Sequence, residues 1–248
     1  MNDHIACQAR ERNGAGGAAQ TEPKGLMTNG TVDTMTTTSS LELASLLCSR
    51  LCHDMLSPVG ALSNGLELLA DEKDPDMRRR CFELLEQSAR ISADKLKFFR
   101  LAFGAAGGFG DLVPVTEARL LVDALVADNE RLTLNWALGS TSLPKPAIKT
   151  LLNFALIGID ALPRGGTLDL AAEQRDKVSE IVVRASGPKI AFDGDIGRAL
   201  SGQLGHADLS SRTAPAAMLH ELAEVLNGEL QFALADDALV LGAVLPDA

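Results

Sequence analysis

The sequence has no run of about eighteen apolar residues, the length a membrane-spanning helix requires. Its polar N-terminus also lacks the apolar stretch of a secretory signal. A cytoplasmic protein with no membrane partner is expected. Cysteine is scarce: Cys7, Cys48, Cys52 and Cys81 are too few and too irregularly spaced for a disulfide framework, so free thiols are expected. Positive charge is in short supply as well, with 23 Lys and Arg against 33 Asp and Glu and a formal net charge of -10. Affinity for a phosphate backbone rests on many Lys and Arg contacts. No compact basic cluster supplies them here, which argues against nucleic acid as a partner.

What is present suits a packed protein, with 46% hydrophobic and 23% charged residues. Residues 1–38 are rich in Gly, Ala, Thr and Asn without apolar periodicity and are expected to be disordered. Ser39 and Glu42 have the spacing of a capping box and predict a helix opening. Beyond them Ala44, Leu47, Leu51, Met55, Val59, Leu62, Leu66 and Leu69 recur every three or four residues, one stripe of a helix over about 41–70. "DEKDP" breaks it, and Pro75 suits the first turn of a second helix. Along that helix Phe82, Leu85, Ala89, Ser92, Leu96, Phe99 and Phe103 form a narrow seam. Two such helices predict an antiparallel hairpin over 39–106. A hairpin cannot enclose its own seams, so a second copy is expected to complete a dimeric four-helix bundle, making the protein a homodimer.

"GAAGGFGD", Gly104 to Asp111, reads as a domain boundary. After it come a helix near 115–128, a strand at "RLTLNWAL", and a helix over about 144–161. Strands follow at "TLDLAA" and "EIVVRA", then a loop-like stretch to about 212, a helix at "APAAMLHELAEVL" and two closing strands. The expected fold class is α+β, a helical hairpin followed by an α/β sandwich over 112–248.

Within the first helix stands "RLCHDMLSPVG", Arg50 to Gly60. At about 100° per residue His53 lies roughly 200° around from Leu51, away from the apolar stripe. Asp54 is suited to orient the imidazole so that one ring nitrogen keeps its lone pair, as a nucleophile requires. Pro58 cannot donate a backbone hydrogen bond to the carbonyl of Asp54 and is expected to loosen the helix beside the histidine. Arg50, Ser57, Gly60 and Asn64 share the histidine's side, and Gly60 leaves room for another protein to approach. "CSRLCH" has one residue too many between its cysteines for haem attachment, and Cys48 and Cys52 have no companion cluster to complete a metal site.

"HDMLSP" resembles the phosphoacceptor motif of bacterial histidine kinases, His-(Asp/Glu)-x-x-(Ser/Thr)-Pro. "NFALIGIDALPRGGTLDL" resembles the asparagine-containing helix of their ATP-binding domain, keeping Asn153 and the trailing Pro163 to Gly166. The asparagine that would bind the magnesium of ATP is replaced by Ile157. The aspartate that would recognise adenine is replaced by Ala185, within "VVRASGPKI". Together these features resemble the ChpT-type histidine phosphotransferases, dimeric proteins with a degenerate kinase-like domain. The resemblance implies a phosphotransferase that takes a phosphoryl group from the receiver domain of a hybrid histidine kinase onto His53, then passes it to a response-regulator receiver. It implies no cofactor of the chain's own, with magnesium supplied by the receiver. The competing readings are an active histidine kinase and a non-catalytic scaffold that docks receivers.

Overall fold

Two long helices open the fold. The computed structural model describes residues 30–104 and 111–247, with side chains from Ser40 onward. Helix α1 spans Gly30–Asp71 and α2 spans Pro75–Ala102, packed together as an antiparallel hairpin. Most of the segment expected to be disordered, residues 1–29, lies outside the described residues. From Gly30 onward the chain is helical, so Ser39 is interior to α1 and does not open it. Helix growth is cooperative: once the apolar stripe anchors a nucleus, each added Thr or Ser forms another backbone bond at a cost of tenths of a kcal/mol, about 0.7 at most.

The turn is firmly built. Asp74 caps α2, its carboxylate accepting from the backbone N–H of Asp76 and Met77, and Pro75 occupies the first helical position as expected. Arg78 donates to the carbonyl oxygens of Leu69 and Glu72, satisfying acceptors at the end of α1. Arg79 and Arg80, which follow it in the chain, are exposed.

The remaining elements are β1 (Leu112–Pro114), α3 (Val115–Val126), β2 (Leu132–Leu138), β3 (Ser142–Pro144), α4 (Lys145–Asp160), β4 (Gly166–Arg175) and β5 (Val178–Ser186). Then follow α5 (Gly194–Leu200), a short 3-10 turn, α6 (Ala214–Leu226), β6 (Glu229–Leu234) and β7 (Ala238–Pro246). The main sheet has the order β2-β4-β5-β7-β6, parallel between β2 and β4 and antiparallel elsewhere, while β1 and β3 pair as a separate two-stranded sheet. Burial alternates along β2 and β5, so one face of the sheet is covered by α3, α4 and α6. Trp136 on β2 is partly buried against the core and donates its indole N–H to Asp123 of α3.

The stretch expected to be a loop contains α5, seven residues with two glycines. That is too short for apolar periodicity to reveal, yet Asp193 caps it. The glycine-rich boundary also separates less than composition suggests; residues 105–110 lie outside the described residues. Phe98, Phe99, Leu101 and Ala102 of α2 are buried in one core with Val115, Leu121, Ile148, Leu151 and Phe154 of the α/β unit.

The "PRGG" turn joining α4 to β4 is a matter of backbone space. Gly165 and Gly166 have φ of +81° and +148°, a region that disfavours side chains. A Cβ on Gly165 would lie 2.4 Å from the Arg131 carbonyl oxygen, and one on Gly166 2.2 Å from that of Ser186. Among the described residues no helix is long and apolar enough to cross a membrane.

Candidate active site

Around α1 the residues between 50 and 69 sort onto three faces. Leu51, Met55, Pro58, Leu62 and Leu69, buried or half-buried, lie along one side of the helix, the side packed on α2. Leu56, Val59 and Leu66 are exposed on a second face, with Phe82 and Leu96 exposed on α2. The single stripe read from spacing is therefore two faces. The third carries His53, Ser57 and Asn64, all exposed, with half-buried Gly60 among them. Around Gly60 the space is open, nothing lying within 4 Å of the position a Cβ would take.

The imidazole of His53 has no hydrogen-bond partner among the described residues. Asp54 does not hold it. Successive helical side chains diverge by about 100°, and the Asp54 carboxylate is engaged by Arg50, whose Nε donates to Oδ2 at 2.7 Å.

Arg50 is not an open docking residue either. Its side chain is only 13% exposed, and its Nη2 donates to Oδ2 of Asp160 at the end of α4, 2.8 Å away. Burial opposes the guanidinium charge, but pairing with Asp160 and then Asp54 more than offsets it, and the Arg50 pKa stands raised above its ordinary value. Arg50 is a strut between the hairpin and the α/β unit. Spacing placed it near the histidine and could not show that a distant acid would claim it.

Two residues of this neighbourhood escape sequence reasoning. One is Asp160. The other is Lys95 of α2, whose Nζ donates to the backbone carbonyl of Asp54 at 2.9 Å. That carbonyl is the one Pro58 leaves without its helical donor. The missing N–H was legible, and an antiparallel hairpin turning near residue 73 brings the region around residue 95 opposite residue 54. The signal for Lys95 was present as an unsatisfied acceptor.

The kinase-like positions hold no polar chemistry. Ile157 on α4 and Ala185 on β5 are buried in the apolar core, where they offer no oxygen to magnesium and no acceptor to an adenine amino group. Asn153 is fully buried, and its amide donates to the carbonyls of Ala102 and Lys149. Among the described residues no group of three or more His, Cys, Asp or Glu side chains could hold a metal ion. Cys48 and Cys52 are exposed free thiols and Cys81 a buried one.

Comparison with known proteins agrees with this reading. The family model described as the histidine phosphotransferase C-terminal domain matches residues 115–238, half of the chain. The chain is 41% identical over 152 residues to the protein phosphotransferase ChpT of Brucella abortus (strain 2308), covering 61% of this chain and 70% of that protein. A solved structure of a bacterial phosphotransferase matches with 32% identity and a TM-score of 0.71, covering 82% of this chain and 96% of the other. With a phosphotransferase fold, a degenerate nucleotide position and a solvent-facing histidine, the chain belongs to the histidine phosphotransferase family.

Proposed function

We propose that His53 is the phosphoacceptor through which this phosphorelay phosphotransferase works. The observation that carries the reading is the exposed imidazole, unpartnered among the described residues, at the head of the Ser57, Gly60 and Asn64 face. A ring nitrogen that carries no proton and makes no hydrogen bond keeps its lone pair for attack. An aspartyl phosphate on the receiver of a hybrid histidine kinase is attacked in line by that nitrogen. The P–N bond forms as the P–O bond breaks, and the aspartate leaves with the electron pair. The reverse step delivers the group to a response-regulator receiver. Because one histidine serves both, donor and acceptor compete for one surface.

Such transfer depends on positioning and charge stabilisation, with magnesium on the receiver's acidic side chains offsetting the phosphoryl charge. Asp54 contributes at one remove, through Arg50. The exposed apolar face of Leu56, Val59, Leu66, Phe82 and Leu96 supports a second copy of the chain as its cover, giving a four-helix bundle. No transmembrane helix among the described residues is compatible with work in the cytoplasm, where receivers reside.

The test mixes the protein with a radiolabelled phosphorylated receiver and magnesium, without ATP. Acid-labile, base-stable label is expected on this chain and is expected to vanish in His53→Gln. Label that survives that substitution overturns the assignment.

A further inference from the structure

We infer that Lys95 is a positioning residue for phosphotransfer at His53, acting by replacing the backbone hydrogen bond that Pro58 removes. The inference rests on His53 being the acceptor and says how its nitrogen is held in place. In a regular helix the carbonyl of residue 54 accepts from the N–H of residue 58. Pro58 has no N–H, and its buried ring faces the hairpin interior. A carbonyl orphaned there must find another donor or carry the cost of burial.

The donor comes from the other helix. Lys95 reaches across the hairpin to the Asp54 oxygen at 2.9 Å, in a part-buried setting, and among the described residues it makes no ion pair. Its ammonium therefore goes to a neutral carbonyl and not to a carboxylate. On the turn before, Arg50 holds the Asp54 side chain at 2.7 Å. Residue 54 is thus pinned by its backbone from α2 and by its side chain from α1.

His53 is the adjacent residue, and among the described residues no side chain holds its imidazole. The backbone sets where the side chain is anchored, and χ1 and χ2 turn the ring about that anchor, so the bonds that fix the backbone of residue 54 fix the point from which the nucleophilic nitrogen is presented. In-line transfer is steeply sensitive to such placement: a displacement of about 1 Å costs on the order of a hundredfold in rate.

The arrangement predicts a specific non-additivity. Pro58→Ala restores an N–H to the Asp54 carbonyl, so in that background Lys95 has nothing left to supply. Single-turnover transfer is measured from a magnesium-bound, phosphorylated receiver that loads the wild-type chain. The variants are Lys95→Met, Lys95→Arg, Pro58→Ala and the Pro58→Ala/Lys95→Met double, each checked for native circular dichroism. Lys95→Met is expected to lower the saturating rate about tenfold while leaving the half-saturating receiver concentration within about twofold, as loss of one charged hydrogen bond predicts. Lys95→Arg keeps a donor and is expected to retain the rate. In the double variant the loss relative to Pro58→Ala is expected to shrink to about twofold or less.

Three results overturn the inference: an unchanged rate in Lys95→Met, an equal loss in both backgrounds, or a loss confined to half-saturation, which would mark a docking charge. If Lys95→Met folds poorly, Lys95→Leu in the same two backgrounds, which also lacks a donor, decides by the same pattern. His53→Gln run in parallel separates the two readings. Label surviving there sinks the acceptor assignment, whereas label lost there with an additive cycle sinks only the role of Lys95.

Discussion

The side-chain amide of Asn153 on α4 donates to the carbonyl oxygen of Ala102, in the last turn of α2, at 3.1 Å inside the core. This bond ties the hairpin to the α/β unit across a glycine-rich connection. The residue that the kinase resemblance assigns to a nucleotide-binding helix works here as a structural fastener.

Asn153→Ala should therefore destabilise the fold. It strands the Ala102 carbonyl, which costs about 1–3 kcal/mol when buried. The lower half of that range is expected, because Oδ1 of Asn153 is itself buried without a partner among the described residues and its relief offsets part of the loss. Urea unfolding checks this: the midpoint should fall with little change in slope.

Arg50→Met should loosen the α/β unit from the hairpin. Two charged hydrogen bonds disappear, but Asp54 and Asp160, 27% and 42% exposed, regain water, so a net loss of about 1–3 kcal/mol is expected. Arg90→Gln breaks the more exposed ion pair with Asp128 and should cost under about 1 kcal/mol. Unfolding midpoints compare the two, and a spin-label distance from α1 to α4 should broaden only in Arg50→Met.

Lys149→Met should stabilise the protein at neutral pH, and the gain should fade in alkali. Burial, then the charge of Lys145, hold the Lys149 pKa below its ordinary value. While both folded and unfolded chains keep the proton, the fold bears the full cost of a half-buried charge. Once pH passes the lowered folded pKa, the unfolded chain binds more protons than the folded one, so wild-type stability rises. The cost is gone above the unfolded value of about 10.4. The melting-temperature difference between variant and wild type, measured from pH 7 to 10.5, should shrink steadily.

Leu66→Glu should dissociate the proposed dimer without unfolding the chain. Leu66 is 59% exposed, so the hairpin tolerates the charge, whereas an interface that buries it does not. Light scattering after size exclusion should report the mass of one chain where the wild type gives two.

Much of the architecture was legible because period and punctuation are local. Asp74 and Pro75 announced the turn into α2, and the run Ala214 to Leu226 coincides with α6. The exposure of His53 followed from its angle to Leu51. The start of α1 escaped, because a capping pattern does not stop a helix that propagates cooperatively through it. The two faces of α1 escaped as well: spacings of three and four cannot say which of several neighbours covers each residue. That apolar side chains stand at Ile157 and Ala185 was legible from residue identity alone, whereas their burial in the core was decided by the fold.

The sequence by itself determined the hairpin, the α/β unit after it, the outward histidine and the loss of polar groups at Ile157 and Ala185, all of which follow from local periodicity and residue chemistry. Tertiary structure alone decided that Arg50 serves Asp160, that Asn153 fastens α2, and that Lys95 completes the turn Pro58 leaves open. Each joins groups between 41 and 110 residues apart in the chain. A hydrogen bond is fixed by distance in space, which the order of residues does not encode until the helices are packed.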